Sequence, residues 1–205
     1  MSIAAAIAMG LALAACAGLR AFLPLLALAV AHRAGVLPLA PELTWLSSDP
    51  SLIVLASAVF FEVLGDKVPV VDHVLDSVGL VIRPLAGGAA AVVPFLSAGP
   101  DGSMIRTLSE GDWGAAAPWI AVGTGAVAGG SLTALVLLAK AALRVASSSF
   151  TLGLANPVLS LAEDGLGVTG VILALLVPIV ALAMVAMGIL LIVAWFRRRR
   201  LAPRV

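Results

Sequence analysis

Acidic and basic side chains are concentrated in one short stretch of an otherwise apolar chain. The stretch "FFEVLGDKVPVVDHVLDS", residues 60–77, contains Glu62, Asp66, Lys67, Asp72, His73 and Asp76. Carboxylate oxygens are hard ligands that bind cations, and carboxyl groups also carry protons. What these groups can do depends on whether they face water or lie inside a bundle of helices.

Glu62 and Asp66 are four residues apart, so they share one face of a helix that reaches that far. Two carboxylates at this spacing repel each other. They also lie at the C-terminal end of an apolar helix, next to Gly65, where the helix dipole disfavours negative charge. A positive charge must offset them, and the alternatives are Lys67, one of the arginines Arg20 and Arg83, or a bound cation.

The next helix is predicted to begin at Pro69, because proline suits the first turn of a helix. Asp72 then lies in that first turn, where the helix dipole stabilises a carboxylate. Asp72, His73 and Asp76 have a spacing that could hold a metal ion through oxygen and nitrogen donors. Ordinary helix-start chemistry explains Asp72 equally well.

The second half of the chain shows a related pattern. Glu163 and Asp164 follow a short apolar helix that is predicted to begin at Asn156. Lys140 and Arg144 precede this helix and share one helix face. Each half thus has an apolar helix, a basic site and acids at a helix end, which indicates a weak internal repeat with halves 1–96 and 113–196.

Arg20 lies well inside the first apolar run, too far from its ends to reach water easily. An arginine at membrane depth usually faces the bundle interior and finds a carboxylate. We therefore expect Arg20 and Arg83 each to pair with one of the acids. In this scheme basic side chains are counter-charges to four acids. The acids are Glu62, Asp66, Glu163 and Asp164, and the counter-charges are Arg20, Lys67, Arg83, Lys140 and Arg144.

The composition places these charges in a membrane. Of 205 residues, 62% are hydrophobic and only 11% are charged, and the mean hydropathy is +1.17. A soluble domain has about 25% charged residues. The net charge of +1 gives no field that would recruit nucleic acid. The single cysteine, Cys16, excludes an internal disulfide and a thiolate metal cage.

The predicted fold is an all-α, polytopic membrane helical bundle in one domain, 1–205. About five hydrophobic segments are expected, and they lie at 2–31, 51–65, 78–96, 115–139 and 166–196. A membrane-crossing helix needs about 20 residues, and the second segment is shorter than that. An alternative therefore joins the second and third segments as a re-entrant hairpin, which is tolerated only where protein or a wet cavity covers it. We expect Ser147–Ser149 to form a polar turn, and the glycines at 123, 125, 129 and 130 to allow close helix packing.

Three stretches together resemble a bacterial family of integral membrane proteins of unknown function. They are "AGLRAFLPLLALAVA", "FEVLGDKVPVVDHVLDSVGLVIRPLAGG" and "KAALRVASSS…NPVLSLAED". The resemblance implies a multi-pass protein of the bacterial inner membrane and supplies no activity. Arg197–Arg200 follow the last apolar segment, and four consecutive arginines favour a cytoplasmic C-terminus.

Residues 62–67 also resemble the E-x-G-D-K signature of divalent-cation/proton exchangers. This sequence has one extra residue between Glu62 and Gly65. The second half offers only Glu163-Asp164-Gly165 where those exchangers have another copy.

These patterns favour a transporter or channel-like permease for a small ion, most plausibly a cation, bound by Glu62, Asp66, Glu163 and Asp164. A lipid-phosphate translocase that uses the basic residues is one alternative, and a non-transporting scaffold or partner subunit is another. A metal-dependent enzyme at Asp72, His73 and Asp76 is the least favoured, because no catalytic motif is present. The expected partners are the lipid bilayer and a small ion or an anionic lipid head group, with no cofactor and no nucleic acid. Assembly with further copies of the chain stays open.

Overall fold

Helices make up the secondary structure throughout the described part of the chain. A computed structural model describes residues 1–65, 69–98, 104–111, 116–151 and 156–201, and it describes the backbone alone at 69–76, 105, 150–151, 156–157, 192, 195–196 and 198–201. The helices are α1 (Ile3–Leu19), α2 (Leu23–Arg33), a 3-10 helix (Pro41–Ser47), α3 (Asp49–Gly65), α4 (Pro69–Leu96), α5 (Met104–Ser109), α6 (Ala117–Thr151), α7 (Asn156–Leu176) and α8 (Pro178–Leu201). No strand occurs in these ranges, so the predicted all-α helical bundle is confirmed.

Several of these helices are long and apolar enough to cross a membrane. Among the described residues they are Ser77–Leu96 in α4, Ala117–Ser149 in α6 and Val158–Leu176 in α7. The 3-10 helix and α3, which meet at a bend of 56°, add a fourth span if they are taken as one broken helix. Helices α1 and α2 are shorter and also apolar. The chain therefore has the architecture of an integral membrane protein.

The first apolar segment is broken instead of forming one continuous helix. Helix α1 ends at Leu19, and Arg20 has an extended backbone with φ −138° and ψ 109°. Helix α2 begins at Leu23, with Pro24 in its first turn, where proline needs no hydrogen-bond partner for its nitrogen. The break places Arg20 and the backbone of Ala21 at a helix end, next to polar groups of other helices.

The predicted boundaries around the opening stretch are confirmed. Helix α3 ends at Gly65 and α4 begins at Pro69. Helix α4 then continues through Pro84 and Pro94, so the third apolar segment is longer and more regular than the sequence indicated. Neither a re-entrant course for 51–96 nor an internal repeat is tested by this architecture, and both stay predictions.

Two predictions about the second half are wrong. Helix α6 continues to Thr151, so Ser147–Ser149 are helical and form no turn. Ser149 satisfies its hydroxyl inside the helix by donating to the Val145 carbonyl oxygen over 2.9 Å. Glu163 and Asp164 lie in the interior of α7, which continues past Gly165 to Leu176. One glycine costs a helix only about 1 kcal/mol, and the apolar residues that follow extend the helix.

Small residues bring α1, α4 and α6 into close contact. A Cβ atom added to Gly10 would lie 2.3 Å from the Ala91 carbonyl oxygen, and one added to Gly87 would lie 1.7 Å from Thr133 Oγ1. Thr133 Oγ1 is also 2.6 Å from the Ala14 carbonyl oxygen, so this buried side chain connects α6 to α1. Close packing through small residues is the usual way in which helices associate in lipid.

The predicted role of the α6 glycines is confirmed at three of four positions. An added Cβ would lie 3.0 Å from Val92 at Gly125, 2.4 Å from Ala91 at Gly129 and 3.1 Å from the Pro84 carbonyl oxygen at Gly130. At Gly123 nothing lies within 4 Å of the added atom, so that glycine packs against no helix.

Candidate functional site

Charged side chains from five parts of the bundle meet in its interior. We call this group the charge cluster, and it consists of Arg20, Glu62, Arg83, Lys140, Arg144, Glu163 and Asp164. Arg20 and Arg83 are each 1% exposed, although arginine is almost never fully buried unless it is paired. The cluster therefore needs internal pairing to exist at all.

Arg20 connects the break between α1 and α2 to two other helices. Its Nε donates to Asp164 Oδ1 over 2.7 Å, and its Nη2 contacts the same oxygen. Its Nη1 donates to the backbone carbonyl oxygen of Glu62 over 3.0 Å. The expectation that Arg20 pairs with an acid is confirmed by its contact with Asp164, and its hydrogen bonds connect α3 and α7 to the break.

Glu62 is buried near the C-terminal end of α3, where it has an incomplete set of partners. Its Oε1 accepts a hydrogen bond of 2.9 Å from the Ala21 backbone N–H, which the break after α1 leaves outside any helix. Arg83 Nε lies 3.8 Å from the same oxygen, close enough for an ion pair but too far for a hydrogen bond. We call Glu62, Arg83 and the Ala21 N–H the Glu62 subsite.

The second carboxylate oxygen of Glu62 is an unsatisfied acceptor. Oε2 is buried and has no hydrogen-bond partner in the described part of the chain. Glu62 and Arg83 line a cavity of about 170 Å³ together with Phe22, Phe61 and Ile82, among others. A buried acceptor without a donor is costly, so this oxygen is a place where a proton or a cation would be stabilised.

Glu163 has the opposite arrangement, because two bases share one of its oxygens. Lys140 Nζ lies 2.9 Å from Glu163 Oε2, and Arg144 Nη2 donates to the same atom over 3.1 Å. Ser160 Oγ is buried and has no hydrogen-bond partner among the described residues. We call Lys140, Arg144, Ser160 and Glu163 the Glu163 subsite.

Helix geometry explains how these groups come together. Lys140 and Arg144 are one turn apart on α6, and Ser160 and Glu163 are one turn apart on α7, so each pair shares a helix face. Asp164 follows Glu163 and points about 100° further round the helix, which directs it to Arg20 and away from α6. The close approach of α4 and α6 at Gly130 holds α4, which carries Arg83, against the helix that carries Lys140 and Arg144.

The structure leaves several predicted site residues untested. Asp66 and Lys67 lie outside the described residues. Asp72, His73 and Asp76 lie on α4, where only the backbone is described, so a metal site there stays a prediction. Elsewhere in the described ranges, no group of three or more His, Cys, Asp or Glu side chains could hold a metal ion.

Sequence reasoning missed Ser160 and the Ala21 backbone N–H. Ser160 precedes Glu163 by one helical turn, and this spacing was visible in the sequence as a second polar group on the same face. The Ala21 N–H carries no sequence signal, because it becomes available only through the break between α1 and α2.

The fold and the cluster define a class, a helical membrane protein with an ion-paired interior. Within that class, the sequence model of the family described as "Domain of unknown function (DUF4126)" matches residues 7–199, so the chain belongs to this family. This confirms the resemblance to a family of unknown function. No curated protein and no solved structure matches the chain at a significant level.

Proposed function

We propose that this protein is a membrane transporter that binds a negatively charged group at the Glu163 subsite. The observation that carries the proposal is the convergence of Lys140 and Arg144 on one oxygen of Glu163, with both nitrogens within 3.1 Å of it. The two bases point at the same atom, so an anionic group that entered the subsite would meet two charged donors at once.

A neighbouring group supports an anion in the same way. Ser160 has a buried hydroxyl without a partner among the described residues, and a hydroxyl can donate to an anionic oxygen. Charge-assisted hydrogen bonds of this kind are about twice as strong as neutral ones.

A transport role is supported by where the cluster lies. Helix breaks next to ion sites are common in secondary transporters, because the ends of broken helices leave backbone groups free to bind. Here the break at Arg20 and Ala21 lies at the cluster, and both residues bond to partners on other helices.

The cation predicted from the sequence is less well supported by this geometry. Glu62, Glu163 and Asp164 are each already engaged by at least one base. A cation would have to displace a guanidinium or an ammonium group from them. A cation or proton route is still a second candidate function, because Glu62 Oε2 is buried without a hydrogen-bond partner in the described part of the chain.

We place the protein in the bacterial inner membrane with its C-terminus in the cytoplasm. The support is the run Arg197–Arg200 at the end of α8, since positively charged residues that flank a span favour the cytoplasmic side.

The proposal is tested by comparing anionic and cationic probes in one preparation of proteoliposomes. The anionic probes are phosphate, chloride and a fluorescent phosphatidylglycerol, and the cationic probes are sodium and magnesium. We expect at least one anionic probe to cross faster than in protein-free vesicles. Lys140→Met should slow it by about tenfold, because one charge-assisted contact is lost.

Arg33→Met is the matched control, since Arg33 is an exposed base that pairs with Asp49 outside the cluster. It should transport like the wild type. Movement of a cation without any anionic probe would overturn the proposal in favour of the route at Glu62. If no probe moves at all in vesicles that contain folded protein, the scaffold alternative is supported.

A further inference from the structure

The cavity at the Glu62 subsite lies between the break after α1 and the helices α3 and α4. Its walls are mostly apolar, and Phe22, Phe61 and Ile82 are among the residues that line it beside Glu62 and Arg83. Its volume of about 170 Å³ is below the range of about 300–1,000 Å³ that is usual for small-molecule sites. The cavity therefore suits a small molecule or the head of a larger one.

One oxygen of Glu62 is left for a molecule in this cavity. Oε1 accepts from the Ala21 backbone N–H and lies 3.8 Å from Arg83 Nε, whereas Oε2 has no hydrogen-bond partner in the described part of the chain. The Glu62 side chain is only 6% exposed, so little bulk water reaches it. An ionised carboxylate accepts hydrogen bonds and donates none, so the partner that Oε2 needs is a donor.

The surrounding charges favour a neutral donor. Arg83 forms an ion pair with Glu62, and Arg20 Nη1 donates to the Glu62 backbone carbonyl oxygen over 3.0 Å. A ligand with its own positive charge would have to enter beside both guanidinium groups, and like charges repel. A hard metal ion takes about six oxygen ligands, whereas Glu62 is the one acidic residue among the described residues of the wall.

The cavity opens on the outer, lipid-facing surface of the bundle. Phe61 of α3 is 67% exposed and Val78 of α4 is 47% exposed, and both line the cavity. Val78 lies at the start of the apolar segment of α4, directly after Asp76 and Ser77 in the sequence. The opening is therefore close to one end of a membrane span, which is the depth at which amphipathic groups accumulate.

We propose that the Glu62 subsite binds a neutral, lipid-soluble alcohol whose hydroxyl group donates to Glu62 Oε2. The hydroxyl supplies the donor that this oxygen lacks and leaves the ion pair with Arg83 in place. Hydrogen bonds to a charged acceptor are about twice as strong as neutral ones. The hydrocarbon part of the alcohol packs against Phe22 and Phe61 and continues toward the lipid. This site is separate from the Glu163 subsite and does not depend on the anion proposed there.

Two alanines of α3 provide a matched pair of variants. Ala58 lines the cavity, so Ala58→Leu places a larger side chain in its volume. Ala56 lies on the same helix, is exposed and does not line the cavity. Ala58→Leu and Ala56→Leu therefore make the same chemical change and differ in whether the new side chain fills the cavity.

The test measures binding to the full-length protein in micelles by saturation-transfer NMR. The probes are hexan-1-ol, 1-methoxyhexane, which has no O–H donor, and hexylammonium, which is a charged donor. We expect hexan-1-ol to bind about tenfold more tightly than 1-methoxyhexane, because only the alcohol can donate to Oε2. Ala58→Leu should weaken the binding of hexan-1-ol by about tenfold, since the leucine takes volume that the alcohol needs. Ala56→Leu should bind it like the wild type.

A further variant isolates the hydrogen bond from the volume. In Glu62→Leu the alcohol and its methyl ether should bind equally, because the acceptor is gone. If this variant does not fold, the two alanine variants and the comparison of probes on the wild type still decide the question.

Other outcomes overturn the inference. Equal binding of hexan-1-ol and 1-methoxyhexane to the wild type would mean that the cavity makes an apolar contact without using Oε2. Tighter binding of hexylammonium than of the alcohol would make the subsite a cation site. An equal loss in Ala56→Leu and Ala58→Leu would place the alcohol outside the cavity, and no binding of any probe would leave the cavity without a ligand of this class.

Discussion

Glu62 and Glu163 are both buried acids of the same charge cluster, yet their surroundings are opposite. Glu62 has one oxygen that accepts from a backbone N–H and another without a hydrogen-bond partner in the described residues. Glu163 has two bases within 3.1 Å of a single oxygen. One subsite has an acceptor without a hydrogen-bond partner in the described residues, and the other has two donors on one acceptor. The comparison teaches that two buried carboxylates of one cluster can differ more in their neighbours than in their burial.

Arg20 joins the two regions. It donates to the Glu62 carbonyl oxygen on one side and to Asp164, the neighbour of Glu163, on the other. A change in the hydrogen-bond partners of Arg20 would therefore alter the surroundings of both subsites. Arg20 is therefore placed to couple the two subsites in the transport role that we propose.

The largest expected effect comes from separating the two subsites at Arg20. Arg20→Leu leaves the partly buried carboxylate of Asp164 without this guanidinium, and the cost of about 3–5 kcal/mol for breaking a fully buried ion pair is the upper limit, because the Asp164 side chain is 20% exposed. Unfolding in mixed micelles should show this loss of stability. The double variant Arg20→Leu/Asp164→Leu should lose less, because no unpaired charge remains. Equal losses for the single and the double variant would contradict the pairing.

The next effect is a difference between the two acids themselves. Glu163→Gln removes the negative charge that holds two bases, and hydrogen bonds to charged groups contribute about 1.5–3 kcal/mol. Glu62→Gln keeps an amide oxygen that can still accept from the Ala21 N–H, so it should be destabilised less. The same micelle assay measures both variants. A larger loss for Glu62→Gln would show that the contrast between the subsites is wrong.

A smaller effect on stability is expected from disturbing the close contact between α4 and α6. In Gly87→Ala the new Cβ would lie 1.7 Å from Thr133 Oγ1, so the helices must shift, and overpacking of this kind costs about 1–3 kcal/mol. Gly123→Ala, with nothing within 4 Å, should be at least as stable as the wild type, because alanine favours a helix. Thermal unfolding of the two variants side by side checks the difference. Equal stability would mean that the close approach of α4 and α6 is not as tight as the structure has it.

The smallest effect on stability is expected at Ser160. Its hydroxyl has no hydrogen-bond partner among the described residues, so Ser160→Ala should stay within about 0.5 kcal/mol of the wild type or exceed it. Its affinity for glycerol 3-phosphate should fall, because the anion loses a donor. Ser149→Ala removes a hydroxyl that bonds inside α6 and should leave that affinity unchanged. Binding by calorimetry measures both, and unchanged affinity in Ser160→Ala would remove Ser160 from the site.

Local sequence signals were good guides to some parts of the cluster. Gly65 and Pro69 marked the end of α3 and the start of α4, because each residue has a strong positional preference in helices. The expected pairing of Arg20 with an acid followed from the cost of a bare charge in lipid. Gly165 wrongly predicted a helix end, since a single glycine does not end a helix whose apolar residues continue beyond it.

Composition by itself determined that this chain is a helical membrane protein, because a sequence with 62% hydrophobic and 11% charged residues must satisfy its backbone within helices in lipid. Only the tertiary structure decided which charges meet. Arg20 and Asp164 are 144 positions apart, and they pair because α7 packs closely against α1 beside the break, where a Cβ atom added to Gly170 would lie 2.8 Å from Cys16 Sγ. Pairing between helices depends on where the helices cross, and no local pattern of residues encodes that geometry.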